Sequence, residues 1–254
     1  MTQKVEFKKT ELHSISSKIN FHDYDLYISL PKLYAQKSIT DRYDVLYILN
    51  AQWDFGLMLS IYGSAYFDQF LPGIILVGIG WSGQESDDEA GEYGMKDFSD
   101  SVLQGIPHNG ATLFLEVLEN EIIPYVERNF AVNSNRCLSG SSIAAWFGLF
   151  AMVKKPSLFN KYVLSSPPTW FSNDLIFQYE SIFSNLSNQI NASLYVSYGE
   201  LEDSESMKNF LNILINRNYE NLNIKFEEIK YTGHATNKPI GYTKGLLNVY
   251  NKLS

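Results

Sequence analysis

Hydrophobic and polar residues alternate in part of the N-terminal stretch from Val5 to Leu30, most regularly from Tyr24 to Leu30. A period of two is typical of a strand with one buried face, so this stretch predicts antiparallel strands at one sheet edge. Further along, the apolar residues form four nearly continuous runs, at Val45–Leu49, Ile74–Ile79, Tyr162–Leu164 and Leu194–Ser197. Such runs indicate central parallel strands that are buried on both faces.

Helical patterns occupy the stretches between these runs. The clearest is Gly110 to Phe130, where apolar residues recur at helical spacing around acidic positions. Strands that alternate with helices predict a three-layer α/β sandwich with a mostly parallel central sheet and right-handed crossovers. The length of 254 residues suits one domain of this class, so we expect a single domain over residues 1–254.

Two segments interrupt the alternation of strands and helices. Trp81 to Pro107 is polar, directly follows a central strand and is too long for an ordinary connection, so we expect a lid or substrate loop at 81–108. Pro167 to Phe171 follows another predicted strand. Against a lone Lys96, the first segment carries seven acids: Glu85, Asp87, Asp88, Glu89, Glu92, Asp97 and Asp100.

Charge and composition exclude several classes of partner. The net charge is −8 and no run of Lys or Arg exceeds two residues, which disfavours nucleic acid and anionic membranes. Met1 to Ser14 lacks the apolar core of a secretory signal, and no apolar stretch is long enough to span a bilayer. Cys137 is the single cysteine and agrees with a reducing compartment. We therefore expect a cytoplasmic protein.

A tight turn centred on Ser142 follows a short predicted strand and precedes a predicted helix. The segment from Arg136 to Ala145, RCLSGSSIAA, has small residues at Gly140 and Ala144, which let strand and helix approach as in a nucleophile elbow. The usual second glycine is replaced by Ala144. A serine before a helix can also be a simple N-cap, so the elbow needs support from elsewhere in the chain.

A nucleophilic serine requires a general base and an acid, and α/β-hydrolases supply them in the order serine, acid, histidine. His234 is the only histidine after Ser142 and lies between a predicted strand, Ile224 to Tyr231, and the last helix. This position is the one where an α/β-hydrolase keeps its base. The order favours Ser142 as the nucleophile and His234 as the base.

Three carboxylates compete for the role of the acid, because Glu200, Glu202 and Asp203 all follow the predicted strand that ends near Gly199. We choose Glu202, since three residues beyond the glycine its side chain can turn back toward the imidazole. In that role it would fix the imidazole tautomer and stabilise the imidazolium. Glu200 and Asp203 stay open as alternatives.

The oxyanion of the tetrahedral intermediate needs backbone donors. The N–H of Ile143, at the start of the helix after the elbow, is one candidate, and the loop after Leu49 is expected to supply the second near Gln52.

The other three histidines, His13, His22 and His108, are interpreted as structural or solvated. None is spaced for metal binding with another histidine or with the cysteine, so we predict no metal site and no cofactor.

Three tryptophans follow strand ends on the side where the active site is expected, at Trp53, Trp81 and Trp170. They are candidates for the wall of an apolar substrate pocket, with the packing of loop cores as an equally weighted alternative. Trp146, one turn into the helix after the elbow, is expected in the core.

Beyond single motifs, the chain resembles the putative-esterase family, the esterase D-like branch of the α/β-hydrolases. The similarity spans roughly residues 5 to 253 and lies in the order of eight segments, not in any one of them. This family includes siderophore trilactone esterases, S-formylglutathione hydrolases, feruloyl esterases and mycolyltransferases. The matching segments are YILNAQ (47–52), VGIG (77–80), KDF (96–98), EIIPYV (121–126), the elbow, SSPPTW (165–170), SYGELE (197–202) and Gly233-His234.

The resemblance implies metal-free hydrolysis of a small-molecule ester or thioester by a serine nucleophile. The chain departs from the family at Asn50-Ala51, where Asp-Gly is usual, and at Ser141–Ala145, where the family has HSLGG. It has Lys96 where the family has Arg, which makes Lys96 a candidate substrate-binding residue. Family members that cleave anionic iron chelates hold them with arginines, so the acidic segment argues against such a ligand here.

The predicted function is therefore hydrolysis of a carboxylic ester or thioester through an acyl-enzyme. Two alternatives use the same fold. One is acyl transfer to an alcohol, and the other is a non-catalytic binding protein, which Ala51 and Ala144 in place of glycines suggest.

Overall fold

A computed structural model describes residues 7, 9–34, 42–84, 86–103 and 106–250. Eight strands form one mixed sheet, in the spatial order β1-β2-β4-β3-β7-β8-β9-β10, and two more form a separate hairpin. The strands are β1 (Thr10–Ser16), β2 (Asp23–Ser29), β3 (Tyr43–Leu49), β4 (Ile74–Trp81), β5 (Asp100–Leu103), β6 (Ile106–Asn109), β7 (Val132–Ser141), β8 (Lys161–Ser165), β9 (Gln189–Gly199) and β10 (Glu220–Ile229).

The strand directions follow the sequence patterns. The N-terminal strands β1 and β2, which show the alternation, pair antiparallel with each other, and β2 pairs antiparallel with β4. From β4 through β3 to β10 every neighbouring pair is parallel. The expected α/β fold, with a mostly parallel sheet and antiparallel N-terminal edge strands, is confirmed.

Helices cover both faces of this sheet. They are α1 (Ala51–Phe67), α2 (Asp87–Asp97), α3 (Gly110–Val117), α4 (Ile123–Asn129), α5 (Ile143–Lys154), α6 (Phe171–Ser184), α7 (Glu205–Arg217) and α8 (Lys238–Val249). On β3, Leu46 and Ile48 pack with α1 and α8, whereas Tyr47 and Leu49 pack with the apolar residues of the other helices. Successive residues of one strand thus enter two separate cores, which explains why its apolar run is continuous.

The helix predicted from Gly110 to Phe130 is interrupted in the middle. Its centre, Leu118–Ile122, is one π-helical turn, and α4 begins directly after it with Pro124 in its first turn. Proline has no N–H to donate and its ring crowds the preceding turn, so a regular α-helix cannot run through this position unchanged. The wider π-turn accommodates the proline without ending the helix.

The segment predicted as a lid or substrate loop contains helix α2 and the β5–β6 hairpin. Two of its acids are buried and serve as internal hydrogen-bond acceptors, and Glu85 lies outside the described residues. Asp97 accepts from Tyr24 at 2.6 Å and from the Trp81 indole at 2.7 Å. Asp100 accepts from the hydroxyls of Thr112 and Tyr179. These two carboxylates are therefore held inside the protein by hydrogen bonds and do not extend into solvent.

Over the described part of the chain, none of the helices has both the length and the apolar character needed to cross a bilayer. The single-domain prediction for 1–254 stays a prediction, and its ends, 1–6 and 251–254, lie outside the described residues.

Candidate active site

Ser142 forms the sharp turn between β7 and α5. Its backbone has φ 54° and ψ −127°, a conformation that costs a non-glycine residue free energy and that clusters at functional sites. Its carbonyl accepts the first helical N–H bonds, from Ala145 at 2.9 Å and Trp146 at 3.0 Å. The side chain makes no capping hydrogen bond, so the hydroxyl does not act as the N-cap that the sequence left open.

The close approach of strand and helix at the elbow depends on Gly140. A Cβ atom at this position would lie 2.9 Å from the carbonyl carbon and oxygen of Ala144 and 3.0 Å from its Cβ. The space left by the missing side chain of Gly140 is what accommodates the Ala144 methyl group. This explains how the turn forms although the usual second glycine is an alanine.

Replacing Gly140 with alanine is expected to lower the free energy of unfolding by about 1–3 kcal/mol, because a methyl group there overpacks the turn. Urea unfolding followed by circular dichroism measures this. The matched control is Gly63→Ala in α1, where an added Cβ meets nothing within 4 Å. That helical position is expected to gain about 0.5–1 kcal/mol. Equal effects of the two substitutions would contradict the packing argument.

Glu202 and His234 are in direct contact, although they lie on different loops. His234 follows β10 and is half-exposed, and Glu202 lies three residues beyond the end of β9. The distance from His234 Nδ1 to Glu202 Oε2 is 2.9 Å. The other carboxylate oxygen of Glu202 accepts from the Ser166 hydroxyl at 2.6 Å and from the Gly199 N–H.

The surroundings of Glu202 keep it ionised. Burial alone would raise the pKa of the Glu202 carboxyl, but hydrogen bonds from His234, Ser166 and the Gly199 N–H outweigh burial and lower it below the ordinary value. The carboxylate is therefore negatively charged at neutral pH and acts as the acceptor for the imidazole N–H.

The other two candidate acids have different partners. Glu200 forms an ion pair with Lys230 at 3.1 Å and accepts the Tyr231 N–H at 2.9 Å. Asp203 accepts the Glu205 N–H at 3.1 Å at the start of α7. Of the three acids, Glu202 is the one that contacts His234.

A cavity of about 470 Å³ lies between the elbow and the histidine loop. Ser142 and His234 both line it, so the two residues border one space. The other lining residues are mainly apolar: Met95, Ile143, Ser166, Pro167, Pro168, Trp170, Phe171, Glu202, Asp203 and Met207. Among the described residues that line it none is Lys or Arg, and the ionisable ones are Glu202, Asp203 and His234.

The two predicted oxyanion donors lie differently relative to this cavity. Ile143 lines it and is the first residue of α5, where the backbone N–H has no partner within the helix. Gln52 lies in the first turn of α1, after Asn50 with its φ of 56°, and is not among the lining residues. Its N–H is likewise without a partner inside its helix. The role of Gln52 stays a prediction.

Of the four predicted substrate-binding residues, Trp170 lines the cavity, and this residue is 63% exposed. Trp81 is buried and donates its indole N–H to Asp97. Trp53 donates to Asp87 at 2.8 Å, which connects α1 with α2. The Lys96 ammonium lies 5.1 Å from the centre of the Tyr93 ring and 4.0 Å from Glu92. These three residues are not among those that line the cavity, and their substrate-binding role stays a prediction.

Met95 and Met207 also line the cavity, and the sequence pattern singled out neither. Met95 lies on α2, next to the predicted Lys96, and Met207 lies in the first turns of α7. A methionine on a helix carries no pattern that distinguishes a pocket wall from ordinary core. Only the fold brings both helices to the elbow.

Beneath the elbow lies a buried ionic network that sequence analysis also missed. Asp54 on α1 is fully buried, and its carboxylate accepts from Lys238 at 2.6 Å, from Tyr242 at 2.6 Å and from Ser141 at 3.1 Å. Lys238 and Tyr242 belong to α8, and Ser141 directly precedes Ser142. The network ties both helices of this face to the elbow.

The remaining histidines make structural contacts. The His13 ring contacts the Tyr125 hydroxyl at 2.7 Å, His22 contacts Asp97 at 2.9 Å, and His108 contacts the Lys96 carbonyl. Cys137 is fully buried, and burial raises the pKa of its thiol to about 12. Within the described ranges, no group of three or more His, Cys, Asp or Glu side chains is arranged to hold a metal ion.

A mostly parallel sheet with a serine elbow after one central strand, an acid after a later strand and a histidine after the last strand defines the α/β-hydrolase class. The family model described as "Putative esterase" matches residues 16–235, and the chain belongs to this family.

Relatives of known structure or description agree with this assignment. The chain is 25% identical to the ferri-bacillibactin esterase BesA of Bacillus subtilis, over 93% of this chain and 88% of that protein. Its fold is similar to the BES protein from Bacillus cereus, with a TM-score of 0.85 at 25% identity over 98% and 97% of the two chains. It is also similar to the siderophore hydrolase EstB from Aspergillus nidulans, with a TM-score of 0.84 at 19% identity over 99% of both chains.

As a member of this family, the protein is a serine hydrolase that cleaves carboxylic esters. The comparisons give no support to an acyltransferase or to a non-catalytic binding protein.

Proposed function

We propose that Ser142, His234 and Glu202 are the catalytic triad of this esterase. The observation that carries the proposal is the 2.9 Å contact between His234 Nδ1 and Glu202, at a cavity that Ser142 also lines. With Nδ1 donating to an ionised carboxylate, the lone pair of His234 Nε2 is free to accept a proton. That is the tautomer a general base requires.

The first half-reaction forms the acyl-enzyme. Ser142 Oγ attacks the ester carbonyl carbon as its proton passes to His234 Nε2, and the carbonyl oxygen becomes an oxyanion. The Ile143 N–H donates to this oxyanion, and Gln52 remains our candidate for a second donor. The intermediate collapses when the C–O bond to the alcohol breaks, and the departing alkoxide takes the proton from the imidazolium.

The second half-reaction restores the enzyme. A water molecule attacks the acyl carbon and gives its proton to His234 Nε2. Collapse of the second tetrahedral intermediate breaks the bond to Ser142 Oγ, which takes back the proton as the carboxylic acid is released. Glu202 stays ionised throughout and stabilises the imidazolium that forms in both halves.

For the substrate, we propose an ester of an iron-binding siderophore. The support comes from relatives whose names describe hydrolysis of such compounds, including the ferri-bacillibactin esterase and the siderophore hydrolase already compared. Further neighbours are an enterobactin and salmochelin hydrolase, IroE, and the enterobactin esterase FES from Shigella flexneri. A cytoplasmic location, and the absence of nucleic-acid and membrane partners, stay predictions from composition.

The cavity limits which part of such a substrate reaches the elbow. Over the part of the chain that the structure describes, its wall is apolar apart from the triad, Asp203 and Ser166, and includes no Lys or Arg. A buried anion there would face Glu202 and Asp203 without a cation to offset them. We therefore propose that an uncharged arm carrying the ester enters the cavity, while charged groups of the chelate stay outside near the exposed Trp170.

This charge preference predicts that p-nitrophenyl butyrate is a better substrate than p-nitrophenyl hemisuccinate, which adds a carboxylate to a similar chain. Repulsion between charges about 8 Å apart, at an effective dielectric constant of about 20, is worth about 2 kcal/mol, or roughly thirtyfold in kcat/KM. Steady-state kinetics on both esters measures the ratio. Asp203→Asn should reduce the ratio of the two kcat/KM values. If the wild type preferred the anionic ester, the proposed charge selection would be contradicted.

Substrate class is tested with a panel of iron-loaded siderophore esters, with product analysis by liquid chromatography and mass spectrometry. We expect at least one iron complex to be opened at an ester bond with a higher kcat/KM than the p-nitrophenyl esters. Hydrolysis of the simple esters without turnover of any chelate would overturn the substrate proposal and leave the triad proposal standing.

A further inference from the structure

Asn237 is fully buried at the start of α8, and both ends of its side chain are hydrogen-bonded. Its Oδ1 accepts the hydroxyls of Ser165 at 2.8 Å and Ser197 at 3.0 Å. Its Nδ2 lies 2.8 Å from the His234 carbonyl oxygen and 3.2 Å from the Gly233 carbonyl oxygen. Because carbonyl oxygens only accept, the group that faces them must be the NH₂, which fixes the orientation of the amide.

The same NH₂ group also contacts Ser166, at 2.9 Å between Asn237 Nδ2 and Ser166 Oγ. Since Nδ2 can only donate, the Ser166 oxygen accepts this bond, and its own O–H donates to Glu202 Oε1 at 2.6 Å. The donors therefore run in one direction, from the Asn237 amide to the Ser166 hydroxyl and on to the carboxylate. Ser166 itself is buried and held in the left-handed region, with φ 51°.

These contacts reach both members of the acid–base pair. On one side the amide holds the backbone of His234, and on the other side Ser166 holds the carboxylate of Glu202. We propose that Asn237 and Ser166 are positioning residues that hold Glu202 as an oriented acceptor and His234 in its Nδ1–H tautomer.

The physical reason lies in the chemistry of each group. A carboxylate could rotate about its Cγ–Cδ bond or take a proton, and the Ser166 hydroxyl opposes both by donating to one oxygen. The imidazole is on a loop and half-exposed, so its backbone needs an anchor, which the buried amide supplies. A chain of donors that ends on a charged acceptor also strengthens each bond within it. This inference rests on the proposed triad.

The test compares Ser166→Ala with Ser197→Ala. Both serines are buried and both hydroxyls are hydrogen-bonded to Asn237, but Ser166 donates to Glu202 whereas Ser197 donates to the amide oxygen of Asn237. Ser166→Ala is expected to lower kcat for a neutral aryl ester about 10- to 100-fold, with KM changed less than about twofold. For Ser197→Ala, both kcat and KM are expected to stay within about threefold of the wild-type values. Its loss of stability should be similar to that of Ser166→Ala.

The pH profile separates positioning from a structural role. Without the Ser166 donor, the Glu202 carboxylate interacts more strongly with the imidazolium, so the acidic limb of kcat/KM should move to higher pH in Ser166→Ala. Asp203, the other ionisable wall residue, is unchanged in both variants. Equal kinetics and equal pH profiles for the two alanine variants would overturn the proposal.

Failure of the triad itself gives a different result. If Glu202 were not the acid, Glu202→Gln would retain nearly full activity. If Glu202→Gln lowers activity as expected but Ser166→Ala does not, the positioning role is rejected and the triad proposal stands.

Discussion

Ser142→Ala is expected to lower kcat for ester hydrolysis by about 10⁴- to 10⁶-fold, because the attacking atom is removed and no acyl-enzyme can form. The free energy of unfolding should change little, since the hydroxyl makes no capping bond that alanine would lose. Ser142→Gly should be equally inactive but more stable, because glycine relieves about 1 kcal/mol or more of strain at φ 54°. Steady-state kinetics and urea unfolding of the wild type, Ser142→Ala and Ser142→Gly measure the changes in turnover and in stability.

Ser141→Ala is the matched control for this result. Ser141 is the adjacent serine, but its hydroxyl donates to the buried Asp54 beneath the elbow. Its loss should reduce stability by about 1–3 kcal/mol and leave kcat within about tenfold of the wild type. If Ser142→Ala retained wild-type turnover, or if Ser141→Ala were the inactive variant, the assignment of the nucleophile would be wrong.

Glu202→Gln should lower kcat by about 10⁴-fold. The neutral amide cannot stabilise an imidazolium, and its NH₂ group would have to face either His234 or the donors Ser166 and Gly199. Kinetics with p-nitrophenyl butyrate, alongside circular dichroism to verify folding, measures the loss.

The two neighbouring acids are internal controls for Glu202. Glu200→Gln removes the partner of Lys230, and Asp203→Asn weakens the bond to the start of α7. Both variants should keep kcat for the neutral ester within about threefold, since surface ion pairs and caps contribute little to the chemistry. A larger loss in either control than in Glu202→Gln would transfer the role of the acid to that residue.

The pKa of Glu202 also determines how pH acts on this site. Because its folded-state pKa lies below the ordinary value, ionisation of Glu202 stabilises the fold at pH values above that ordinary value. This contribution is lost as the pH falls through the folded-state pKa. Protonation of Glu202 should therefore not limit activity near neutral pH, and acid unfolding should become less steep in Glu202→Gln.

The fold was predictable because the sequence separates its strand types clearly. The buried runs around Leu46 and Leu76 are continuous, as strands covered on both faces require, whereas β2, which lies next to the edge strand β1, alternates. The π-turn before Pro124 was not predicted, since apolar spacing alone continues through it.

The candidate site could be predicted where it depends on the order of residues along the chain, and could not where it depends on partners distant in sequence. Ser142, Glu202 and His234 follow strand ends in the order that this fold uses. The burial of Asp97 and Asp100 was not predicted, because Tyr24 and Tyr179, which donate hydrogen bonds to them, lie far away in sequence.

The same limit applies to the support of the site. Asn237 resembles any polar residue at a helix start, and its proposed role depends on three segments, around Ser165, Ser197 and His234, that meet only in three dimensions. Trp81 is a case in which the pattern suggested a pocket wall, whereas its buried indole N–H donates a hydrogen bond to Asp97.

The most direct measurement of the central claim is covalent labelling with a fluorophosphonate, followed by intact mass and peptide mapping while turnover is monitored. The triad predicts one adduct per chain, on Ser142, formed in parallel with the loss of esterase activity and absent from Ser142→Ala. Complete inactivation with the adduct on another residue, or full labelling of Ser142 with turnover unchanged, would contradict it.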